Sequence, residues 1–375
     1  MIFASEVLVV TGPALVADLR LLTEVADREF AALGVQGRVS PAADLAAFRE
    51  ALESPGPVVA VPGPDPEARA LFAGHPRAVW VDLTKPAAPG DRLPPPASGP
   101  GATYLYGRGV SGLTWAIRHA VHRLRWPARR VPYGEHPDQW AEVRLPEGGD
   151  AGRAPVAVLM HGGYWRSVWG ADLMDALCVD LAGRGFAAWN LEYRRPDLHG
   201  WAATTEDVAR GVALAAGDAP GPVVVIGHSA GGQLALRAAA DDRRITLAVS
   251  LAGVVDLVEG ERRDLGDGAV AAALGGTADE APEVYRDASP MERLPLGVPQ
   301  LVVQGGGDNL DLLDLGRRYA RAAQDAGDDV TYLEMSGGHF DVIDAASPIW
   351  RATAGAVTGR VLPPGHASRG LPPEA

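Results

Sequence analysis

A continuous apolar run, Pro222 to Ile226, passes straight into Gly227-His228-Ser229-Ala230-Gly231 and then into an Ala/Leu-rich stretch from Gly232 to Ala240. A buried strand that reverses into a helix around a serine flanked by small residues predicts a strained turn, one that lifts the serine hydroxyl off a sheet to where a base and a substrate can reach it. The G-x-S-x-G spacing alone is a weak signal in a chain rich in Gly and Ala, so its meaning depends on what accompanies it.

Two further segments accompany it. Upstream, Pro155 to Met160 reads as a buried strand that runs into His161-Gly162-Gly163-Tyr164-Trp165. Paired glycines after a strand let the backbone curl so that N–H groups face a cavity. Gly162, Gly163 and Tyr164, with the amide of Ala230, are thus candidate oxyanion donors. Downstream, the strand Pro299 to Gln304 leads to Gly305-Gly306-Gly307-Asp308, then a helix from Asp311 to Ala326, a strand from Val330 to Met335, and Ser336-Gly337-Gly338-His339-Phe340. Serine, aspartate and histidine in that order, each after a strand, follow the arrangement of a nucleophile, acid and base on an α/β-hydrolase sheet. The candidates are Ser229 as nucleophile, His339 as general base and Asp308 as the acid that orients it. Asp311 and Asp314 fall three apart within the helix, a spacing that suits an exposed face. His161 reads as a brace for the glycine loop, and His228 as packing beside the nucleophile.

With these motifs in place, residues 133 to 357 resemble α/β hydrolases of the kynurenine formamidase (arylformamidase) type, a likeness over about three fifths of the chain. His161 to Trp165 matches that family's H-G-G-x-W. Tyr133-Gly134-Glu135-His136-Pro137-Asp138-Gln139, Asn190-Leu191-Glu192-Tyr193-Arg194 and His339-Phe340-Asp341 agree with it as well. The resemblance implies hydrolysis of N-formylkynurenine or a related formamide. Esterases of neighbouring groups share H-G-G-x-W, so a short-chain carboxylesterase is the alternative, and a binding protein on a hydrolase fold is a third reading that the intact Ser229, Asp308 and His339 disfavour. Between Asp256 and Leu296 the pattern breaks into Glu, Arg, Asp and Gly, with a short helix at Ala269 to Leu274; in such a fold this is a small cap, of the kind that sets substrate size. Trp165, Trp169, Tyr193 and Trp201 are either aromatic walls for a substrate or core residues. Arg194 and Arg195 are read as surface solvation, or else as contacts to a substrate carboxylate.

The first 125 residues alternate differently. Val7 to Pro13, a helix from Leu15 to Leu33, a strand near Val35 to Val39, a helix from Pro41 to Leu52, and strands at Val58 to Val61 and Ala78 to Val81 predict a parallel sheet covered by helices. Pro86 to Pro100 reads as a loop, Gly112 to Leu124 as a last helix and 126–132 as a linker. This unit is similar, more faintly, to a type II 3-dehydroquinate dehydratase, which has a flavodoxin-like fold; the likeness rests on Val9 to Pro13, Val61-Pro62-Gly63, Trp80 to Thr84 and Gly107-Arg108-Gly109. The departures are Ala14 in place of the family's Asn, Asp82 in place of its His, and no active-loop Tyr between Gly12 and Glu24. The comparison implies a unit stripped of dehydratase chemistry and retained to assemble a homo-oligomer or to cover the hydrolase's active-site face, with a small-molecule regulatory site in the old pocket as the alternative.

The expected architecture is therefore α/β throughout: a flavodoxin-like parallel-sheet domain (1–125), the linker, an α/β-hydrolase domain with a small cap (133–360) and a tail (361–375). A formal charge of −13 over 375 residues argues against nucleic acid or an anionic membrane as partner. No apolar stretch approaches a membrane span, and Met1 to Glu6 has no basic segment of the signal-peptide kind. Cys178, the single cysteine, allows no internal disulfide or cysteine metal cluster. The expectation is a cytoplasmic protein with no cofactor and no metal, acting on a small acyl substrate.

Overall fold

Valine-rich runs too short for helices and bounded by Gly, Pro or Asp become strands, and the amphipathic stretches between them become helices that start at side-chain caps. The computed structural model describes residues 6–85, 103–147, 153–217 and 221–362, and the chain divides after Pro127 into two compact units. The Pro-rich loop expected at Pro86 to Pro100 and most of the expected tail lie outside the described residues.

The first unit runs β1 (Val7–Thr11), α1 (Leu19–Ala32), β2 (Gly37–Pro41), α2 (Leu45–Leu52), β3 (Val58–Val61), α3 (Pro66–Ala70), β4 (Val79–Val81), β5 (Thr103–Leu105) and α4 (Gly112–Arg125). Its five strands are all parallel in the order β2-β1-β3-β4-β5, the flavodoxin-like arrangement. Asp18 caps α1 by accepting the Leu21 N–H at 3.0 Å, so the helix starts at Leu19 and not at Leu15. Pro41 closes β2, and α2 begins only after the cap at Asp44. Trp80 is fully buried, with Phe48 and Phe72 edge-on at 6.0 and 5.8 Å. The loops after β1 and β3, where such sheets hold ligands, lie backbone on backbone: a Cβ on Gly12 would stand 2.3 Å from the Pro62 carbonyl oxygen.

The second unit runs β6 (Arg129–Pro132), β7 (Trp140–Arg144), β8 (Val156–Met160), α5 (Asp175–Gly183), β9 (Ala187–Leu191), α6 (Pro196–His199), α7 (Trp201–Ala216), β10 (Val223–His228) and α8 (Ala230–Asp241). It continues through β11 (Ile245–Leu251), α9 (Leu257–Arg262), α10 (Ala269–Leu274), α11 (Pro282–Ala288), β12 (Gln300–Gly305), α12 (Leu310–Asp325), β13 (Val330–Met335) and α13 (Pro348–Val361). The strands form one eight-stranded sheet ordered β13-β12-β11-β10-β8-β9-β7-β6, in which only β7 is reversed, running antiparallel to both its neighbours, β6 and β9. Strands β8, β10 and β12 are buried along their whole length, as the interior of a sheet covered on both faces requires.

Two sequence expectations change here. Arg129–Pro132, read as linker, is an edge strand paired antiparallel with β7. It shows no apolar run because only one edge of it is paired, and the Arg130 guanidinium lies over the Trp140 ring at 3.8 Å. Val361, read as the start of the tail, is the last residue of α13. The cap expected between Asp256 and Leu296 carries three short helices, α9 to α11, of which α10 is the one the sequence suggests. Among the described residues no helix is long and apolar enough to cross a membrane.

Candidate active site

At the end of β10 the chain turns into α8 through Ser229, whose φ of 54° is in the left-handed region that side chains other than glycine seldom adopt. The turn is held from three sides: the Ser229 N–H donates to Leu251 O at 2.8 Å, and Ser229 O accepts from the N–H of Gly232 at 2.9 Å and of Val254 at 3.3 Å. Glycine is obligatory on both flanks. A Cβ on Gly227 would lie 1.8 Å from Gly231 O, and one on Gly231 would lie 2.2 Å from Met160 O.

The acid and the imidazole come from neighbouring strands. Gly306 N–H bonds to Met335 O at 2.7 Å and Gly307 N–H to Gly337 O at 2.8 Å, which locks the loop after β12 to the loop after β13. Asp308 Oδ2 then accepts from His339 Nδ1 at 2.9 Å and from Gln304 Nε2 at 2.8 Å. A carboxylate only accepts, so Nδ1 carries the proton and Nε2 keeps its lone pair. Asp311 and Asp314 turn away from His339 and pair with Arg263 at 3.2 and 2.8 Å, tying the cap to α12.

The loop after β8 is braced by His161, which is 1% exposed and stacked on Tyr193 at 4.4 Å. Its Nδ1 lies 2.8 Å from Gly162 O and its Nε2 3.1 Å from Glu192 Oε1. Burial alone raises the Glu192 carboxyl, but Arg195 and then His161 more than offset that and leave it at about 2, a fixed anion under the loop. Because the peptide is planar and trans, pinning the Gly162 carbonyl to the imidazole turns the Gly163 N–H the opposite way. Tyr164 and Trp165 follow at φ 51° and 55°, a second strained run. Gly162 lies against the elbow, where a Cβ would stand 2.7 Å from His228 O and 2.8 Å from Ser229 Cβ. A Cβ on Gly163 would run into the Trp169 indole at 2.3 Å. The structure thus gathers Gly162, Gly163 and Tyr164 on one loop, its Gly162 packed against the turn that carries Ser229 and Ala230.

The aromatic expectations divide. Trp165 and Tyr193 are core residues at 1% and 0% exposure, and Trp201 packs edge-on against Trp165 at 6.2 Å, so none of these three is a wall of the site. Trp169 does lie beside the loop, and the sequence reading missed its companion: Phe340, 45% exposed, with its ring 6.5 Å from Trp169 and 5.4 Å from His339. The one available signal was Phe340's place directly after the histidine. Tyr164 belongs to the cap contact. Its ring stands 2.7 Å from where a Gly266 Cβ would be, while Arg166 Nη2 donates to Gly266 O at 2.7 Å. Burial, and then the negative charge of Asp308, push the Tyr164 phenol up. Arg194 and Arg195 are neither solvating nor free for a substrate. Arg194 pairs with Asp207 at 2.6 Å, and Arg195 pairs with Glu192 and stands 3.4 Å from Asp138.

His136, Asp138 and His199 bring potential metal-ligand atoms within 4.8 Å of one another. Two of them are already engaged, since His136 Nδ1 accepts the Asp138 N–H at 3.1 Å and Arg195 shares the Asp138 charge. Cys178 is buried in α5, which pushes its thiol up, away from the reactive thiolate.

A β-sheet of this order, with a strained serine turn after its central strand and an Asp-His pair after the strands beyond, defines an α/β hydrolase by fold. Residues 157–343 match the family described as alpha/beta hydrolase fold, and the second unit has that fold. The chain is 30% identical over 262 residues to esterase LipC of Mycobacterium tuberculosis, a match over 62% of this chain and 63% of LipC; it thus spans less than two thirds of that curated relative. Among solved structures, a Silicibacter protein described as a thioesterase is 26% identical with a TM-score of 0.52, covering 62% of this chain and 87% of its own. The esterase Est2 of Thermogutta terrifontis shares the fold at 20% identity and a TM-score of 0.52, covering 64% and 95%.

One ionisation at the site is open to measurement. Burial, reinforced by the nearby His339 and His161, holds the His228 imidazole well below 6.5, so the folded chain keeps it neutral while the unfolded chain takes up a proton near 6.5. The unfolded state therefore binds more protons below that pH, and stability falls as pH drops through this region. His228→Leu removes the proton uptake. Its melting temperature should gain on the wild type's between about pH 7.5 and about pH 5.5, and a gap that stays constant across that range would contradict the assignment.

Proposed function

We propose that the chain is a serine hydrolase of small acyl substrates. The observation that carries the reading is the Asp308–His339 hydrogen bond, which leaves Nε2 as a free base within a site whose serine sits on a strained elbow. Ser229 attacks the acyl carbon as His339 takes its proton, and Asp308 fixes the tautomer and steadies the imidazolium. The N–H groups of Gly163, Tyr164 and Ala230 hold the tetrahedral oxyanion, with Gly162 giving the loop its close approach; in comparable enzymes one such donor is worth about 3 kcal/mol. His339 then protonates the leaving group, and water releases the acyl group by the same steps in reverse. Ser229→Ala should reduce kcat to the residue that binding and oxyanion donors provide, and Asp308→Asn should lower it by about 10⁴-fold. Asp311→Asn and Asp314→Asn should change it little. Steady-state kinetics on p-nitrophenyl acetate check the ranking, and a larger loss at Asp311 than at Asp308 would show that the acid lies elsewhere.

For the bond cleaved, the esterase relatives favour a carboxylic ester over a formamide. The arylformamidase reading is supported by one observation of its own: Phe340 packs edge-on to His339, the residue that protonates the leaving group, and Trp169 lies against Phe340, so an aromatic surface lines the leaving-group side. Acyl preference separates the two. A formamidase should fall steadily from formyl through acetyl to butyryl, at about 1 to 3 kcal/mol per methylene, and turn over N-formylkynurenine. A carboxylesterase peaks at acetyl or beyond and ignores the formamide. Comparing kcat/KM over acyl length on one aryl leaving group decides between them.

For the first unit we propose an assembly role, on the grounds that its flavodoxin-like sheet has the loops after β1 and β3 packed together where a ligand would sit. A chain beginning at Ala128 keeps β6 and so retains the whole second sheet. Gel filtration should show the full chain as a larger oligomer than this shortened one, and an unchanged subunit number would count against assembly through the first unit.

A further inference from the structure

The sequence and the proposed reaction leave His228 without a task, yet its ring meets each part of the site. It directly precedes the nucleophile. Its Nε2 lies 3.0 Å from the main-chain carbonyl of His339, and the two rings are 4.7 Å apart. On its other side Nδ1 is buried without a hydrogen-bond partner and stands 2.9 Å from where a Gly162 Cβ would be, against the loop that His161 braces. A carbonyl oxygen only accepts, so Nε2 is the nitrogen that carries the proton, and Nδ1 is left as an unmatched acceptor. An aliphatic side chain would fill the same space without that buried, unmatched nitrogen, so packing alone does not call for histidine here. What histidine supplies is a donor aimed at the backbone of the next histidine.

We infer that His228 is a positioning residue: the bond from its Nε2–H to His339 O fixes where the His339 ring stands relative to Ser229. The Asp308 bond sets the tautomer and one in-plane direction of that ring. The bond from Gly307 N–H to Gly337 O holds that loop two residues before His339, and Gly337, at φ 139°, and Gly338 leave the main chain from there to His339 with little resistance of its own. The His228 tether removes that freedom from the elbow itself, so nucleophile and base are registered through a single side chain. A displacement of the order of 1 Å between them costs about 100-fold in rate, which sets the scale of the effect.

This inference rests on the serine-hydrolase reading, and the experiment separates the two. In full-length protein, His228→Leu should lower kcat about 10- to 100-fold with KM within about twofold and with no loss of melting temperature at pH 8. His228→Gln, whose amide nitrogen reaches the Nε2 position, should recover much of the loss. His228→Asn, whose amide reaches only the Nδ1 position, should not. A Leu variant with wild-type kcat, or an Asn variant better than Gln, overturns the tether, and the Gln and Asn pair keeps the test decisive if the Leu variant does not fold. Nitrogen-15 NMR of the wild-type imidazoles tests the geometry apart from turnover: His228 as the Nε2–H tautomer supports it, and the Nδ1–H tautomer refutes it. A wild type with the Nε2–H tautomer but no turnover of any ester or formamide would strike at the hydrolase reading and leave the geometry standing.

Discussion

Ser229 adopts a backbone conformation that costs of order 1 to 3 kcal/mol for a residue with a side chain, and the second unit is arranged so that no alternative is open to it. The fully buried β10 fixes the direction in which the chain enters the turn, and α8 fixes its exit. Between them the carbonyls of Gly231 and Met160 occupy the space that side chains at Gly227 and Gly231 would need. Relaxing Ser229 would break its bond to Leu251 O and pull α8 off β10 and β11, so the strain is held by the same burial that stabilises the sheet. The other reactive groups are placed with reference to this turn: Gly162 packs on it, and His228, its first residue, reaches the loop that carries His339.

Charge is distributed around the turn by the same logic. Glu192, held ionised by Arg195 and His161, sits beneath the glycine loop, and Asp308 sits behind His339. His228, between the two histidines that face these anions, is kept neutral, so its ring adds no positive charge beside the imidazole that the proposed reaction protonates. Glu192 and Asp308 each lie against an imidazole, and His228 is held neutral where its charge would oppose the imidazolium.

Much of this was legible in the sequence because it is local. A G-x-S-x-G turn, a Gly-Gly loop and a triple glycine before Asp308 each announce a backbone that must pass close to something, and the strand runs before them are unambiguous. What was not legible depended on distant partners. Trp165 looks like a substrate wall until Gln233 is seen to accept its indole N–H, and Arg194 looks like a free cation until α7 brings Asp207 to it. Arg129–Pro132 escaped notice because an edge strand needs no apolar pattern. The three-residue β5 is too short to leave one, and the caps at Asp18 and Asp44 shortened helices that periodicity alone had extended. Phe340 and the contact of Tyr164 with the cap are products of tertiary packing, and no spacing rule points to them.

The central claim is that Ser229 alone among the serines of the chain is activated, and its reaction with an electrophile reads this most directly. The intact protein should be treated with a fluorophosphonate near neutral pH and mapped by peptide mass spectrometry. The account predicts stoichiometric labelling confined to the peptide carrying Ser229, with a rate that falls sharply in Asp308→Asn. Labelling of a different serine, or no labelling of a folded protein, would contradict it.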